Sequence, residues 1–322
     1  MKIVFMGTPD FAVPCLDAIV NNGYDVAGVV TQPDKPSGRK QSFLKAPPVK
    51  EAAIKHGIKT ILQPMKVRTP EFLAEIRELE PDLIVTAAYG RILTKAVLDV
   101  PRLGCINVHG SLLPKYRGAA PIQWALINGD TMTGVTTMFM DEGMDTGDIL
   151  LQSMLDITTD MNYQKLYDEL KELGAKTLLE TLQAAEKGTL ERLPQDHSKA
   201  SYVPLMKKEM GLIDWNKNAA GIHNLVRGTN PWPGAYTHHN GERMKVWKTT
   251  VLAQHTENLP EAGLYLGAKE VWPGKVLKIS KEHIIVATGD GCLGISELQF
   301  EGCRRMGVYE CGHNMDEGEV LG

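Results

Sequence analysis

The stretch GCINVHGSLLPKYRGAAP, Gly104–Pro121, decides how this chain is read. It opens as a short buried strand, with Cys105, Ile106 and Val108 apolar. It then presents Asn107 and His109 two residues apart and breaks into a loop shaped by Gly110, Pro114 and Gly118. Alternate side chains of a strand share a face, so the amide and the imidazole look out together where the strand ends. Short apolar runs recur on either side of it: KIVFMG, VAGVVT, DLIVTAA and VTTMFMD. Between them FAVPCLDAIVNNG, TPEFLAEIREL and APIQWALING have helical spacing, and Gly23 closes the first of these. Strand and helix in alternation predict an α/β class: an open, mostly parallel, Rossmann-like sheet covered on both faces. Its connections are expected to be right-handed crossovers. The segment YQKLYDELKELGAKTLLETLQAAEKG is a long amphipathic helix ending at Gly188, which sets this domain at 1–188.

The character of the chain then changes. LERLPQDHSKASYVPLMKKEMG is polar, has two prolines and shows little periodicity, so 189–208 reads as a linker. Beyond it one helix, AAGIHNLVRG, leads into the short strands GAYTHH, MKVWKTTV, GKVLKI, HIIVATG and CLGISELQF. Asn240-Gly241 and Gly289-Asp290-Gly291 mark turns between them. Residues 209–322 are therefore expected to form a small antiparallel, OB-like β-barrel.

Bulk properties narrow the function. With 322 residues, 43% hydrophobic and 23% charged, the chain has room for two domains of ordinary globular composition. A net charge of −4 gives no global signal for DNA or an anionic membrane, although a local basic patch can still bind RNA. The start, MKIVFMGTPDF, reads as a first strand and not a signal peptide, and no run is apolar and long enough to span a bilayer. The five cysteines are odd in number and scattered, with no C-x-x-C pair, which fits a reduced, cytoplasmic setting. Cys311 and His313 are too isolated to argue for zinc, and no metal is expected. The first strand–helix turn, MGTPDF, has Gly7 alone where a dinucleotide fold shows G-x-G-x-x-G, so the cofactor is not expected to be NAD or FAD.

Ligands of open α/β sheets bind beyond the strand ends, which is where His109 lies. A second polar stretch, MDEGMDTGDI, follows the strand VTTMFMD and carries Asp141, Glu142, Asp145 and Asp148. If the two strands are neighbours, one of these carboxylates can meet the imidazole. A lone histidine at a strand end is more often structural than catalytic, and an acidic loop is usually just solvated. The combination is what points to acid–base chemistry. A carboxylate beside an imidazole favours its charged form and orients the ring. An asparagine amide can donate to negative charge developing on oxygen. Ser111 lies outside any nucleophile-elbow motif, so direct transfer of an acyl-like carbon to a substrate nucleophile is expected. A metal held by Asp141, Asp145, Asp148 and His109 is a minor alternative, without standard ligand spacing.

NVHGSLLPKYRGAAPIQWAL followed by GVTTMFMDEGMDTGDIL resembles the folate-dependent formyltransferases. MGTPDFAVPCLDAI, TQPDKPSGRK, AAYGRIL and NPWPGAY are similar to the branch that formylates initiator methionyl-tRNA. The last residues depart from the usual ending: an aromatic–Leu–Arg-Gly stretch is expected where this chain has Tyr309-Glu310-Cys311-Gly312. The resemblance implies 10-formyltetrahydrofolate as donor and the methionine α-amine of initiator methionyl-tRNA as acceptor. It implies that Asn107 binds the formyl oxygen, that His109 handles the proton, and that Asp145 orients His109. It maps folate contacts onto Ser111, Leu112, Leu113 and Pro114, with Gly90, Arg91, Ile92, Leu93 and the Asp141–Asp145 loop as walls. The alternative is a formyltransferase acting on a small amine, a ribonucleotide or an amino sugar.

The loop QPDKPSGRKQSFLKAPPVK holds Lys35, Arg39, Lys40, Lys45 and Lys50 with no acid after Asp34. Its prolines and glycine argue against a strand or helix before Ala46. On composition alone a solvated surface loop is as good a reading as function. In the family this loop contacts the acceptor arm of tRNA, with Phe43 or Leu44 placed to stack on an end base. The expected tRNA contacts are thus Lys35, Arg39, Lys40 and Lys45. Arg227, Lys245, Lys248, Lys275, Lys278, Arg304 and Arg305 add basic charge to the second domain. Trp232, between two prolines, is expected to sit in a rigid packed turn.

Overall fold

A computed structural model describes residues 1–37, 43–252 and 272–322, with only the backbone of Phe43. Two compact units divide it, 1–121 with 132–156 and 167–204, and 122–131 with 157–166 and 205–322.

The first unit is built on a seven-stranded sheet. Its strands are β1 (Lys2–Gly7), β2 (Asp25–Val30), β5 (Ile61–Leu62), β6 (Leu83–Ala87), β7 (Cys105–His109), β9 (Met132–Phe139) and β10 (Ile149–Asp156). The order is β10-β9-β7-β6-β1-β2-β5. Strands β7, β6, β1, β2 and β5 run parallel, whereas β9 and β10 are antiparallel to their neighbours. Ile3, Val4, Phe5 and Met6 are all fully buried, so both faces of β1 are covered, as a parallel strand requires. On one face Val4, Met6 and Ile84 pack with Phe72 and Ile76 of the helix Pro70–Glu78. Thr69 caps that helix by accepting from the Phe72 N–H. The helix α1 (Val13–Asn21) ends before Gly23, whose φ of 78° supplies the left-handed residue expected of it.

Two short elements differ from expectation. Lys35–Ser37 (β3) pairs antiparallel with Phe43–Lys45 (β4), so the described parts of the basic segment before Ala46 form strands, against the expectation of none there. Pro36 is tolerated because a two-stranded ribbon needs no second ladder from its N atom. The helix α2 (Pro48–Lys55) follows, with Pro48 at the first turn where a missing N–H costs nothing. The stretch read as a linker is hydrogen-bonded to the first unit up to Val203. Leu193 pairs with Ile149, and Tyr202–Val203 (β11) runs parallel to Arg117–Gly118 (β8).

The second unit holds the helix Ala219–Thr229 and an antiparallel sheet. Its strands are β12 (Ala235–His239), β13 (Glu242–Leu252), β14 (Val276–Ile279), β15 (Ile284–Ala287), β16 (Cys292–Phe300) and β17 (Met306–Gly307). Asn240 and Gly241, with φ of 51° and 82°, make the tight turn between β12 and β13. The C-terminal segment joins the two outer strands. Leu321 N–H donates to the Gly274 carbonyl before β14, and Gly322 N–H to the His238 carbonyl of β12. Leu321, Met315 and Cys311 enter the core, so the unusual ending of the sequence is docked. Trp232, in the turn expected to be rigid and packed, is 49% exposed.

Candidate active site

Strand β7 sends Val108 to one face, where a Cβ on Gly174 would come within 3.2 Å of it; the absence of one lets the long helix Tyr163–Glu186 close on the sheet. Asn107 and His109 face the other way. Asn107 Oδ1 accepts a 2.7 Å hydrogen bond from Oγ1 of Thr86, its register partner on β6. In that orientation Nδ2 keeps its hydrogens for another acceptor. His109 is 6% exposed. Its Nε2 lies 2.9 Å from the Tyr116 carbonyl, which can only accept, so Nε2 carries a hydrogen. Nδ1 is then the atom that gains or loses a proton, and it faces Asp145 Oδ2 at 3.7 Å. That is ion-pair range but longer than a direct hydrogen bond.

The expected neighbour relation of the two strands holds, with a twist in direction. In the antiparallel register His109 lies opposite Thr136 and Ile106 opposite Phe139. The loop after β9 therefore starts beside the wrong end of β7 and has to run back to reach His109. It does so with Asp145 at a φ of 55°. The other partner of His109, Tyr116, also has a left-handed φ, 60°. Such backbone costs about 1–2 kcal/mol per residue and persists only where its surroundings enforce it. Here Asp145 Oδ2 accepts from the Gly118 N–H at 2.8 Å.

The loop after β7 is also tied down. Thr136 Oγ1 donates to the Ser111 carbonyl at 2.6 Å and accepts from Leu113 N–H at 3.1 Å. Gln152 Nε2 donates to the Leu113 carbonyl at 2.9 Å. Ser111 is fully buried and its hydroxyl donates to the Lys115 carbonyl. Of the other residues matched to the folate, Leu112 and Pro114 are half-buried, Leu113 and Leu93 belong to cores, and Gly90, Arg91 and Ile92 are exposed. A cleft of about 640 Å³ is lined by Leu98, Cys105, Phe139, Met140, Asp141 and Glu142, among others. Arg192 forms one wall, stacked 4.3 Å over Phe139 and bonded to Asp148. Burial pushes the Cys105 thiol up to about 12, so it stays protonated. Among the described residues no three His, Cys, Asp or Glu side chains come together as a metal site would need.

The basic strand pair has its own geometry. Lys35 lies directly opposite Lys45, both exposed, with no acidic partner among the described residues. Like charges in register repel unless an anion joins them. Lys50 is different: its ammonium is bonded to Asp34 and Gln63, and it holds the Asp34 carboxyl below the usual range. Arg39, Lys40 and the Phe43 ring lie outside the described residues. In the second unit Arg304 pairs with Glu310, and Arg305 with Glu297. Arg227 is spent on the Thr158 and Met161 carbonyls. Lys248 and Lys278 are exposed and form no ion pair with the described residues.

Sequence reasoning missed the Tyr116 carbonyl, the Gly118 N–H and Gln195. The first two are backbone atoms inside the quoted stretch, and Gln195 sits in the segment read as a linker.

Family comparison places the chain firmly. The model of the formyl transferase family matches residues 1–182, and that of the formyl transferase C-terminal domain matches 205–314. A methionyl-tRNA formyltransferase of Acetivibrio thermocellus is 55% identical, with all of both chains covered. One from Clostridioides difficile is 50% identical, again over the whole of both. Among solved structures, WlaRD, a sugar 3N-formyl transferase crystallised with dTDP and 5-N-formyl-THF, gives a TM-score of 0.67 at 21% identity, over 94% of this chain and 99% of that one. HypX from Aquifex aeolicus, in complex with tetrahydrofolic acid, gives 0.62 at 17%, over 100% of this chain and 50% of that one. At such identities the structures speak for the fold alone. No helix among the described residues is long and apolar enough to cross a membrane.

Proposed function

The chain belongs to the formyl transferase family, and we propose that it moves the formyl group of 10-formyltetrahydrofolate onto the α-amine of methionine on initiator methionyl-tRNA, a step of translation initiation. One observation carries this: the Asn107–His109–Asp145 group lies in a chain that matches methionyl-tRNA formyltransferases from end to end. The small-amine alternative is not favoured, because the sugar formyltransferase is a distant relative only.

The geometry suggests how the residues act. When the amine attacks the formyl carbon, charge builds on the formyl oxygen, and Asn107 Nδ2 donates to it. His109 Nδ1 takes the proton that the attacking nitrogen sheds and returns it to the folate nitrogen as the carbon–nitrogen bond to it breaks. Asp145 stabilises the imidazolium in between and keeps the ring in place. The cleft beside Asp141 and Glu142, with Arg91, Ile92 and Leu112 nearby in sequence to the site's loops, is our choice for the folate. Ser111, Leu113, Pro114, Gly90 and Leu93 act through the shape of the backbone. Lys35, Arg39, Lys40 and Lys45 contact the tRNA backbone, where cations neutralise phosphates. The reading requires the cytoplasm, and five free cysteines agree with that.

The test is incubation with 10-formyltetrahydrofolate and methionyl-tRNA, followed by hydrolysis and analysis of the amino acid. Formylmethionine is expected. Formylation of a free amino sugar or ribonucleotide, with methionyl-tRNA untouched, would refute the acceptor.

A further inference from the structure

Arg117 is 1% exposed, the largest side chain buried so completely among the described residues. Among the described residues its guanidinium bonds only to uncharged acceptor atoms: Nε and Nη2 to Gln195 Oε1 at 3.1 and 2.6 Å, Nη1 to the Tyr202 hydroxyl at 2.9 Å, and Nη2 to His197 Nδ1 at 3.1 Å. A buried cation without a carboxylate partner is costly and calls for a reason. The other end of Gln195 supplies one. Its Nε2 donates to the Asp145 carbonyl at 2.9 Å and to the Gly147 carbonyl at 2.7 Å. The amide has no freedom to flip, since guanidinium nitrogens only donate and carbonyl oxygens only accept. Arg117 thus saturates the oxygen of Gln195 and turns the amide hydrogens onto the carbonyl of Asp145 itself and that of Gly147 two residues on.

The next residue along from Arg117 completes the arrangement. Gly118 N–H holds the Asp145 carboxylate, and Gly118 is itself held by pairing with Val203. Asp145 is therefore fixed twice, at its side chain by Gly118 and at its backbone by Gln195. A residue with φ of 55° needs such support.

We propose that Gln195, aligned by the buried Arg117, is a positioning residue that holds the Asp145 turn so that the carboxylate meets His109. This deepens the reading of the site given above and rests on it. The segment around Gln195 then belongs to the catalytic apparatus, although Gln195 itself does not line the cleft.

The test compares the full-length enzyme with Gln195→Leu, Asp145→Asn and the double variant, reading kcat and both KM values. Gln195→Leu should lower kcat roughly 10- to 100-fold, the scale of a displaced catalytic group, with KM for both substrates little changed. In the Asp145→Asn background the same change should cost nothing further. An equal loss in both backgrounds, or a rise in KM with kcat intact, would overturn the proposal. Should Gln195→Leu fail to fold, Gln195→Glu takes its place: it keeps an acceptor for Arg117 and turns an oxygen toward the carbonyls. If that fails as well, Gln195 is a structural residue and the proposal falls. A different failure, Asp145→Asn turning over like the parent, would strike the reading of the site itself.

Discussion

The loop Asp141–Asp148 and the basic strand pair are both short connections at the sheet, and they use charge in opposite ways. In the loop all three aspartates are bonded by groups of the protein itself. Asp141 accepts from Gly143 N–H and Thr146, Asp145 from Gly118 N–H, and Asp148 from Arg192. In the strand pair Lys35 and Lys45 face each other across the register with no acid among the described residues to meet them. Only its base is tied, through Lys50, Asp34 and Gln63. Internal satisfaction makes a rigid element, which suits chemistry that fails when a group moves by an ångström. Unsatisfied like charge makes an element that waits for an external polyanion. On this account the loop sets the rate and the strand pair sets tRNA affinity.

The largest effects belong to the site. His109→Ala or Asn107→Ala should cut turnover by about a hundredfold or more, the scale for losing an acid–base group or an oxyanion donor. Binding of the folate, followed by fluorescence quenching, should change far less. Near-normal turnover in His109→Ala would remove the centre of the account.

Next in size is Gly118→Ala. At a φ of 110° a side chain is strained, and a Cβ there would run into the Val203 carbonyl oxygen. The backbone must shift, at a cost of about 1–3 kcal/mol in denaturant unfolding, and the N–H that holds Asp145 shifts with it. Loss of stability without loss of kcat would show that the hydrogen bond to Asp145 is dispensable.

The strand pair should give a different signature. Changing Lys35, Arg39, Lys40 and Lys45 to Ala should weaken tRNA binding. It should also flatten the slope of log affinity against log salt by about one for each phosphate left without its cation. Parallel salt curves of equal affinity would mean a solvated segment. Arg304→Ala and Arg305→Ala should do much less, because each is already paired with a glutamate.

What could be read from the sequence, and what could not, follows the same division. Apolar periodicity revealed β1, β2, β6, β7 and β9 and placed Asn107 with His109 on one face, because the core repeats every second residue. The partner carboxylate was in view from the acid-rich loop. The direction of β9 was not: parallel and antiparallel strands bury the same residues, and only the register with β7 tells them apart. The strand Lys35–Ser37 was hidden by Pro36, which weakens β-propensity without forbidding a two-stranded ribbon. Gln195 and Arg117 lie 78 residues apart in polar, aperiodic stretches. An interaction made of hydrogen bonds leaves no hydrophobic pattern, so nothing in the sequence joined them.

The smallest expected effect lies away from both regions. Burial holds the His223 imidazole below its ordinary value. A depressed folded value means that stability is intact above about pH 6.5, where the unfolded imidazole is neutral, and falls as acid protonates the unfolded chain first. The unfolding midpoint of the parent should therefore drop more steeply between about pH 7 and pH 5 than that of His223→Gln. Equal slopes would show that the ring is not shielded.

The division of labour itself is tested most directly by single-turnover formylation at saturating methionyl-tRNA and 10-formyltetrahydrofolate. The variant lacking the strand-pair cations should reach the rate of the parent once tRNA is saturating, while Asp145→Asn should stay slow however much tRNA is added. A strand-pair variant that remains slow at saturation, beside an Asp145→Asn enzyme that recovers, would contradict the account.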